Sequence, residues 1–213
     1  MIEQAFESDN FITDDECKRL IEYQKTYRSP DRIMKGSFPD SFVDEYCFDK
    51  SIESLMRFIH VKLCYFMQKY YNEKLYLEFS NLVYWHPGTE LSVHADNFNI
   101  HDLSTLNNNR YRYRDYSFIL YLNSEFKGGE LWFPTHDDYK IKPKTGKIVF
   151  FPGGSGYMHG VTKVTSGARY TLAGWFTKEK SKGILYIKEE ELNYFKNYRG
   201  PKFNSFGMSI NQQ

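Results

Sequence analysis

In the first third of the chain, hydrophobic positions recur with a helical period. Thr13 and Glu16 in "FITDDECKRLIEYQ" have the spacing of a capping box, Phe11 or Ile12 can act as a staple, and Cys17, Leu20 and Ile21 share one face. This pattern predicts a first helix near 14–28. Between 49 and 72, Ile52, Leu55, Met56, Ile59, Leu63, Phe66, Met67 and Tyr70 follow i, i+3, i+4, i+7 spacing, with Asp49 placed to cap a second helix. From residue 75 the period shortens to two. "LYLEFSNLVYW", "LSVHAD", "YSFILYLN", "GELWF", "GKIVFFP", "YMHGVTKV" and "ARYTLAGWFT" read as short strands separated by Gly, Asn and Pro turns. A further short helix is expected in "KEEELNYFKNY", before a Gly/Asn/Ser-rich tail.

Strands that follow one another without intervening helices exclude a doubly wound parallel sheet. The expected fold is mainly β with flanking helices (α+β), an antiparallel barrel or jelly roll with the N-terminal helices packed on one sheet. A single domain is expected, with 1–74 as helical support, 75–178 as the β core and 179–213 as C-terminal helix and tail. Residues 97–116, "NFNIHDLSTLNNNRYRYRDY", have no clean period, and connections of that length in a compact domain are usually functional or disordered.

Composition narrows the choice of partners. In 213 residues, 28 Lys and Arg face 27 Asp and Glu for a net charge of +1, so no global field draws the chain to nucleic acid. Aromatic residues make up 18% of the sequence, which favours a β-rich core. Cys17, Cys47 and Cys64 are scattered and odd in number, which argues against a disulfide framework. The acidic start lacks a signal-peptide pattern and no apolar run is long enough to span a bilayer, so a cytoplasmic location is expected.

Candidate chemistry begins at "LSVHADNF". In a strand, His94 and Asp96 at i and i+2 project to the same side, about 6 to 7 Å apart, and can chelate one ion together. His159 in "YMHGVT" supplies a third ligand, and two imidazoles with one carboxylate form the facial arrangement that leaves positions open at Fe(II). An HxD pair alone is a common pattern, and its context adds weight. Arg169 lies in a strand that is otherwise apolar, where a guanidinium needs an anionic partner. That partner is either a carboxylate of the protein or the distal carboxylate of a small diacid. The remaining histidines, His60, His86, His101 and His136, are read as ordinary structural or solvated residues.

His94-x-Asp96, His159 and Arg169, set among such strands, resemble the Fe(II)/2-oxoglutarate-dependent dioxygenases and especially their prolyl 4-hydroxylase-like branch. "YWHPGTELSVHAD" resembles that branch's Tyr-x-x-Gly approach to the HxD, "YLNSEFKGGELWFP" its central hairpin, and "GKIVFFP…HGV…GARYTLAGWF" its last strands. The resemblance implies a double-stranded β-helix core and a Fe(II)-, 2-oxoglutarate- and O2-dependent hydroxylase, with ascorbate as an accessory reductant. It implies that His94, Asp96 and His159 hold the metal and that Arg169 and Tyr121 bind the distal carboxylate of 2-oxoglutarate, with Tyr84 and Thr171 lining the pocket. Two positions depart from it: Leu91 stands where prolyl hydroxylases often carry Tyr, and Arg169 where collagen-type members carry Lys.

For substrate, the alternating "RYRYR" offers Arg110 and Arg112, and Trp175 ends the last core strand. Cation and ring together suit a prolyl peptide or a base. The expected substrate is a prolyl residue of a protein or peptide. The alternatives are the same chemistry on a free amino acid, small metabolite or alkylated base, a cupin using another metal, and a non-catalytic metal-binding jelly roll.

Overall fold

The computed structural model describes residues 4–27, the backbone of 41–44, and residues 48–97, 111–185, 187–198 and 202–206. The expectations placed on Arg110, His101, Cys47 and most of the 97–116 connection lie outside these residues. In chain order the elements are β1 (Ala5–Ser8), α1 (Asp14–Tyr27), β2 (Ser41–Asp44), α2 (Lys50–Tyr71), β3 (Tyr76–Trp85), β4 (Leu91–His94), β5 (Tyr116–Tyr121), β6 (Phe126–Lys127), β7 (Leu131–Phe133), β8 (Tyr139–Ile141), β9 (Ile148–Pro152), β10 (His159–Val161), β11 (Ser166–Gly167), β12 (Arg169–Thr177), α3 (Glu189–Asn193) and β13 (Asn204–Phe206).

Both long helices begin where their side chains say they should. The Thr13 backbone N–H donates to Glu16 Oε2 at 2.7 Å and the Glu16 N–H donates to Thr13 Oγ1 at 3.2 Å, closing the capping box of α1. Asp49 Oδ1 accepts the Ser51 N–H at 2.8 Å to cap α2, and Asn72 ends that helix with φ of 54°. The third helix is shorter than its pattern, five residues followed by turns, and is tied to α2 by a two-pronged Arg57–Glu191 ion pair with both contacts at 2.7 Å.

Among the described residues every strand pairing is antiparallel. A major sheet runs β13-β1-β9-β5-β12-β3-β2, a minor sheet runs β4-β10-β7-β8, and β6 with β11 forms a separate ribbon. This is the jelly roll expected, with one refinement. Segments assigned to helical support and tail contribute β1, β2 and β13 to the major sheet; at three or four residues each they are too short to show a period.

Alternation along the central strands divides the interior in two. Tyr116, Phe118 and Leu120 of β5, Ile148 and Phe150 of β9, and Tyr170, Leu172 and Phe176 of β12 pack with Leu20, Ile59, Leu63 and Met67 of the helices. The opposite faces of the same strands, with Tyr121, Val149, Phe151 and Ala173, meet the minor sheet. His60 belongs to the first layer: its Nε2 lies 3.0 Å from Ser80 Oγ, and burial pushes its pKa down to about 3. Cys17 and Cys64 are free and buried, and burial pushes each thiol up to about 12. Among the described residues no helix is long and apolar enough to cross a membrane.

Candidate metal and cosubstrate site

The minor sheet aligns the histidines. β4 and β10 are antiparallel neighbours in which His94 and His159 are direct Cα partners, and their ring centroids are 4.4 Å apart. Asp96 falls two residues past His94, in a bend just beyond the end of β4, yet it still projects to the same side. Its Oδ1 is 3.6 Å from His94 Nε2 and its Oδ2 is 3.5 Å from His159 Nε2. The three donor atoms lie within 4.8 Å of one another, close enough to share one ion.

Backbone carbonyls fix which ring nitrogen faces the shared point. His94 Nδ1 lies 2.8 Å from the Ser92 carbonyl and His159 Nδ1 lies 3.0 Å from the Tyr157 carbonyl, so each Nδ1 carries the proton and each Nε2 lone pair is free. Burial holds the His159 imidazole down to about 4, against the pull of Asp96, which keeps the ring neutral as a ligand must be. For Asp96, burial raises the carboxyl pKa, but the His159 and His94 imidazoles and the Ser117 hydroxyl together hold it below the ordinary carboxylate range. That hydroxyl donates to Asp96 Oδ2 at 2.5 Å. Ser117 was not singled out by the sequence pattern. The signal was available: it is four residues before Tyr121 on one strand, and therefore on the same inner face.

Arg169 is the second component. It is fully buried, and among the described residues nothing accepts a hydrogen bond from its Nε, Nη1 or Nη2. Its guanidinium carbon lies 4.5 Å from the Trp85 ring centroid and 5.2 Å from that of Tyr121. Burial lowers its pKa, opposed by Tyr121. Of the two partners left open by the sequence, a carboxylate of the protein is therefore not observed among the described residues. Native proteins seldom orphan three buried nitrogens on one side chain, and the arrangement fits a small ligand carboxylate held by a planar fork. Tyr121 Oη accepts the Leu131 N–H at 3.2 Å, which leaves its own hydroxyl proton to donate into the same space. Thr171 is the direct Cα partner of Tyr121 across β12 and β5 and is also buried.

The expectation for Tyr84 is corrected. Tyr84 lies on the helix-facing side of β3, with its ring 5.2 Å from that of Tyr170, and the adjacent Trp85 takes the inner position opposite Arg169. Trp85 Nε1 also donates to Thr171 Oγ1 at 3.4 Å. Strand parity decides this, because Tyr84 alternates with Val83 and Trp85, both of which belong to the inter-sheet layer. Counting back three residues from Gly88 also lands on Trp85. Gly129, in the "GGEL" hairpin, makes room for the arginine: its φ is +64°, and a Cβ there would lie 2.8 Å from Arg169 Cδ.

At the other end of β12, Trp175 is the partner of Ser117 and lies parallel to Phe79, with ring centroids 6.3 Å apart. The arginine that meets it is Arg114, whose guanidinium carbon is 3.5 Å from the Trp175 centroid and 4.1 Å from that of Tyr111, with Nε 3.2 Å from Glu78 Oε2. Arg112, the expected contributor, is exposed and stacks on its neighbour Tyr113, 4.7 Å from the ring centroid. Arg112 and Arg114 share one parity, so proximity and not alternation separates them: Arg114 stands two residues before β5, beside Trp175.

Residues 79–177 match the family model of the 2OG-Fe(II) oxygenase superfamily. Over 71 residues, 32% of this chain, it is 46% identical to prolyl 3-hydroxylase 2 of Gallus gallus, the match covering 10% of that protein. The chain thus spans about a tenth of the length of the curated relatives it matches. Among solved structures it is similar to a viral collagen prolyl hydroxylase from Paramecium Bursaria Chlorella virus-1 in its 2OG complex, with a TM-score of 0.59 and 20% identity over 81% of this chain and 94% of that one. It is also similar to a prolyl hydroxylase from Trichoplax adhaerens in complex with a hypoxia inducible factor oxygen degradation domain peptide fragment, with a TM-score of 0.60 and 16% identity over 85% and 87% of the two chains. At these identities the structural likeness shows the fold. The family implies Fe(II), 2-oxoglutarate and O2, and the His-Asp-His cluster and orphaned guanidinium fit the first two.

Proposed function

We propose that this chain is a Fe(II)- and 2-oxoglutarate-dependent oxygenase that hydroxylates a prolyl residue of a protein or peptide, with residues 75–178 and the three added strands as its catalytic unit. The observation that carries the oxygenase reading is the buried Arg169 fork, without a protein acceptor among the described residues, in the same inter-sheet space as three convergent metal ligands. A non-catalytic metal-binding module gives no reason to keep an uncompensated guanidinium buried there. Support for a prolyl substrate comes from the relatives: prolyl 3-hydroxylase 2 is 46% identical over a 71-residue segment, and the Trichoplax adhaerens enzyme was solved with a peptide.

When bound, Fe(II) and 2-oxoglutarate supply an oxidant from O2, with one oxygen atom ending in a C–H bond of the substrate and the other in succinate as CO2 is lost. The protein's part is positional. His94, Asp96 and His159 would hold the metal, their three donor atoms lying within 4.8 Å of one another. Arg169, with the Tyr121 hydroxyl, anchors a distal carboxylate at the buried end of β12. Trp85, Val83 and Phe151 line the space between the sheets and keep water out of it. Trp175 and Arg114 form the wall on the side of the site away from Arg169, and the substrate approaches along it.

The test is a panel of proline-containing peptides incubated with the protein, Fe(II), 2-oxoglutarate and O2, with succinate and peptide mass followed together. Succinate equimolar with a +16 Da product at proline is the predicted result. Succinate formation stimulated by a free amino acid or an alkylated base, and by no peptide, would replace the prolyl substrate with one of those.

A further inference from the structure

One polar side chain on the inner face of the major sheet has no role in the arrangement above. Asn81 is 6% exposed, and its Oδ1 is buried without a hydrogen-bond partner among the described residues. Its direction is fixed by its neighbours: Ser80 reaches His60 on the helix side, whereas Val83 and Trp85 point between the sheets. Asn81 therefore projects into the same space as Arg169 and the triad. Its partner across β12 is Ala173, whose single methyl offers the amide no hydrogen bond, and the next row towards the mouth is the Phe79–Trp175 pair.

Position decides between cosubstrate and substrate. Along β12 the inner-face rows are Arg169, Thr171, Ala173 and Trp175, each roughly 7 Å from the next. The Arg169 guanidinium lies against Trp85 of the first row and Tyr121 of the second. The triad is reached from β5, where Ser117 touches Asp96. A diacid running from Arg169 to the triad thus leaves β12 on the β5 side, whereas Asn81 stands on the β3 side, one row below the Trp175 wall. An orphaned amide there faces the approach of the substrate.

We infer that Asn81 is a specificity-determining residue that hydrogen-bonds a backbone amide of the peptide substrate beside the target proline; this rests on the prolyl-peptide reading above. Proline carries no N–H of its own, so the donor to Asn81 Oδ1 is the N–H of a residue flanking it. A carboxamide pairs with a peptide group through both its oxygen and its NH2, which favours an extended peptide over a bare amino acid. A buried acceptor left unpaired costs enough to make such a contact selective.

The experiment takes the best peptide from the panel and methylates each flanking backbone nitrogen in turn, with wild type and Asn81→Val compared. One methylation is expected to lower wild-type kcat/KM by about tenfold or more, Asn81→Val to lower it similarly for the parent peptide, and the two losses not to add. Affinity for 2-oxoglutarate is expected to be the same in both proteins, which also reports that the variant is folded. The inference is overturned if no methylation costs wild type more than about threefold, if the two losses add in full, or if Asn81→Val weakens 2-oxoglutarate binding while sparing the peptide. A wild type indifferent to every methylation overturns the inference even if the variant does not fold. Failure of the prolyl reading looks different, because no peptide is then hydroxylated at all, and that result overturns both.

Discussion

Replacing Arg169 by Met has opposite expected effects on the empty protein and on its response to cosubstrate. In the empty site the guanidinium is fully buried, with three nitrogens unpaired among the described residues. A buried unsatisfied donor costs about 1 to 3 kcal/mol, so one per nitrogen gives roughly 3 to 9 kcal/mol of uncompensated desolvation. The stack on Trp85, at 4.5 Å, returns about 2 kcal/mol of this. Roughly 1 to 7 kcal/mol remains; Met keeps the unbranched stem and fills most of the volume without polar atoms, so Arg169→Met should stabilise the ligand-free protein by about 2 kcal/mol, the middle of that range less some loss of packing. In a chain of 213 residues that is a rise in Tm of roughly 4 to 8 °C. Adding 2-oxoglutarate at about a hundred times its Kd to the Mn(II)-loaded wild type should contribute about 2.7 kcal/mol more, and to Arg169→Met nothing. Differential scanning calorimetry with and without cosubstrate reads both effects. A variant that melts below ligand-free wild type, or one that keeps its shift with 2-oxoglutarate, would refute the assignment of the guanidinium to a ligand.

Three further outcomes follow from single contacts. Ser117→Ala removes the 2.5 Å hydrogen bond to Asp96 and should weaken metal binding about tenfold to a hundredfold, measured by Co(II) titration, with Ser117→Thr restoring most of it; equal affinities would show the hydroxyl to be idle. Gly129→Ala places a Cβ 2.8 Å from Arg169 Cδ at a φ of +64° and should raise the Kd for 2-oxoglutarate more than that for metal, as calorimetric titration would show. His60 is neutral when buried, and its pKa is about 3 folded against 6.5 unfolded, so between those values the unfolded chain binds more protons and stability falls as pH falls. In His60→Gln the slope of unfolding free energy against pH, measured by urea titration between pH 6 and 4, should lessen by up to about 1.4 kcal/mol per pH unit; an unchanged slope would contradict the burial of an uncharged imidazole.

Legibility of the sequence followed the strength of each local signal. α1 and α2 announced themselves through caps and long apolar stripes, and the strand from 76 to 85 through alternation. The triad was readable because HxD spacing and antiparallel pairing of β4 with β10 are both period-two facts. β1, β2 and β13 were not readable, since strands of three or four residues acquire their identity from the sheet they join. Tyr84 was misplaced and Trp85 missed for a related reason: a family motif names residue types, whereas the face that a residue occupies is set by parity relative to its strand neighbours. Arg114 was overshadowed by Arg110 and Arg112 because a loop pattern does not show which of its members stands nearest the strand it enters. Asn81 gave no sequence signal, as an inward polar residue on a strand shows its cost only once its lack of a partner is visible.

The account turns on His94, Asp96, His159 and Arg169 forming one site for Fe(II) and 2-oxoglutarate. Anaerobic addition of Fe(II) and then 2-oxoglutarate, followed by visible absorption, tests this directly. A metal-to-ligand charge-transfer band in wild type that disappears in His94→Ala, and that needs far more 2-oxoglutarate in Arg169→Met, is the predicted result. No band in wild type, or a band indifferent to both substitutions, would contradict it.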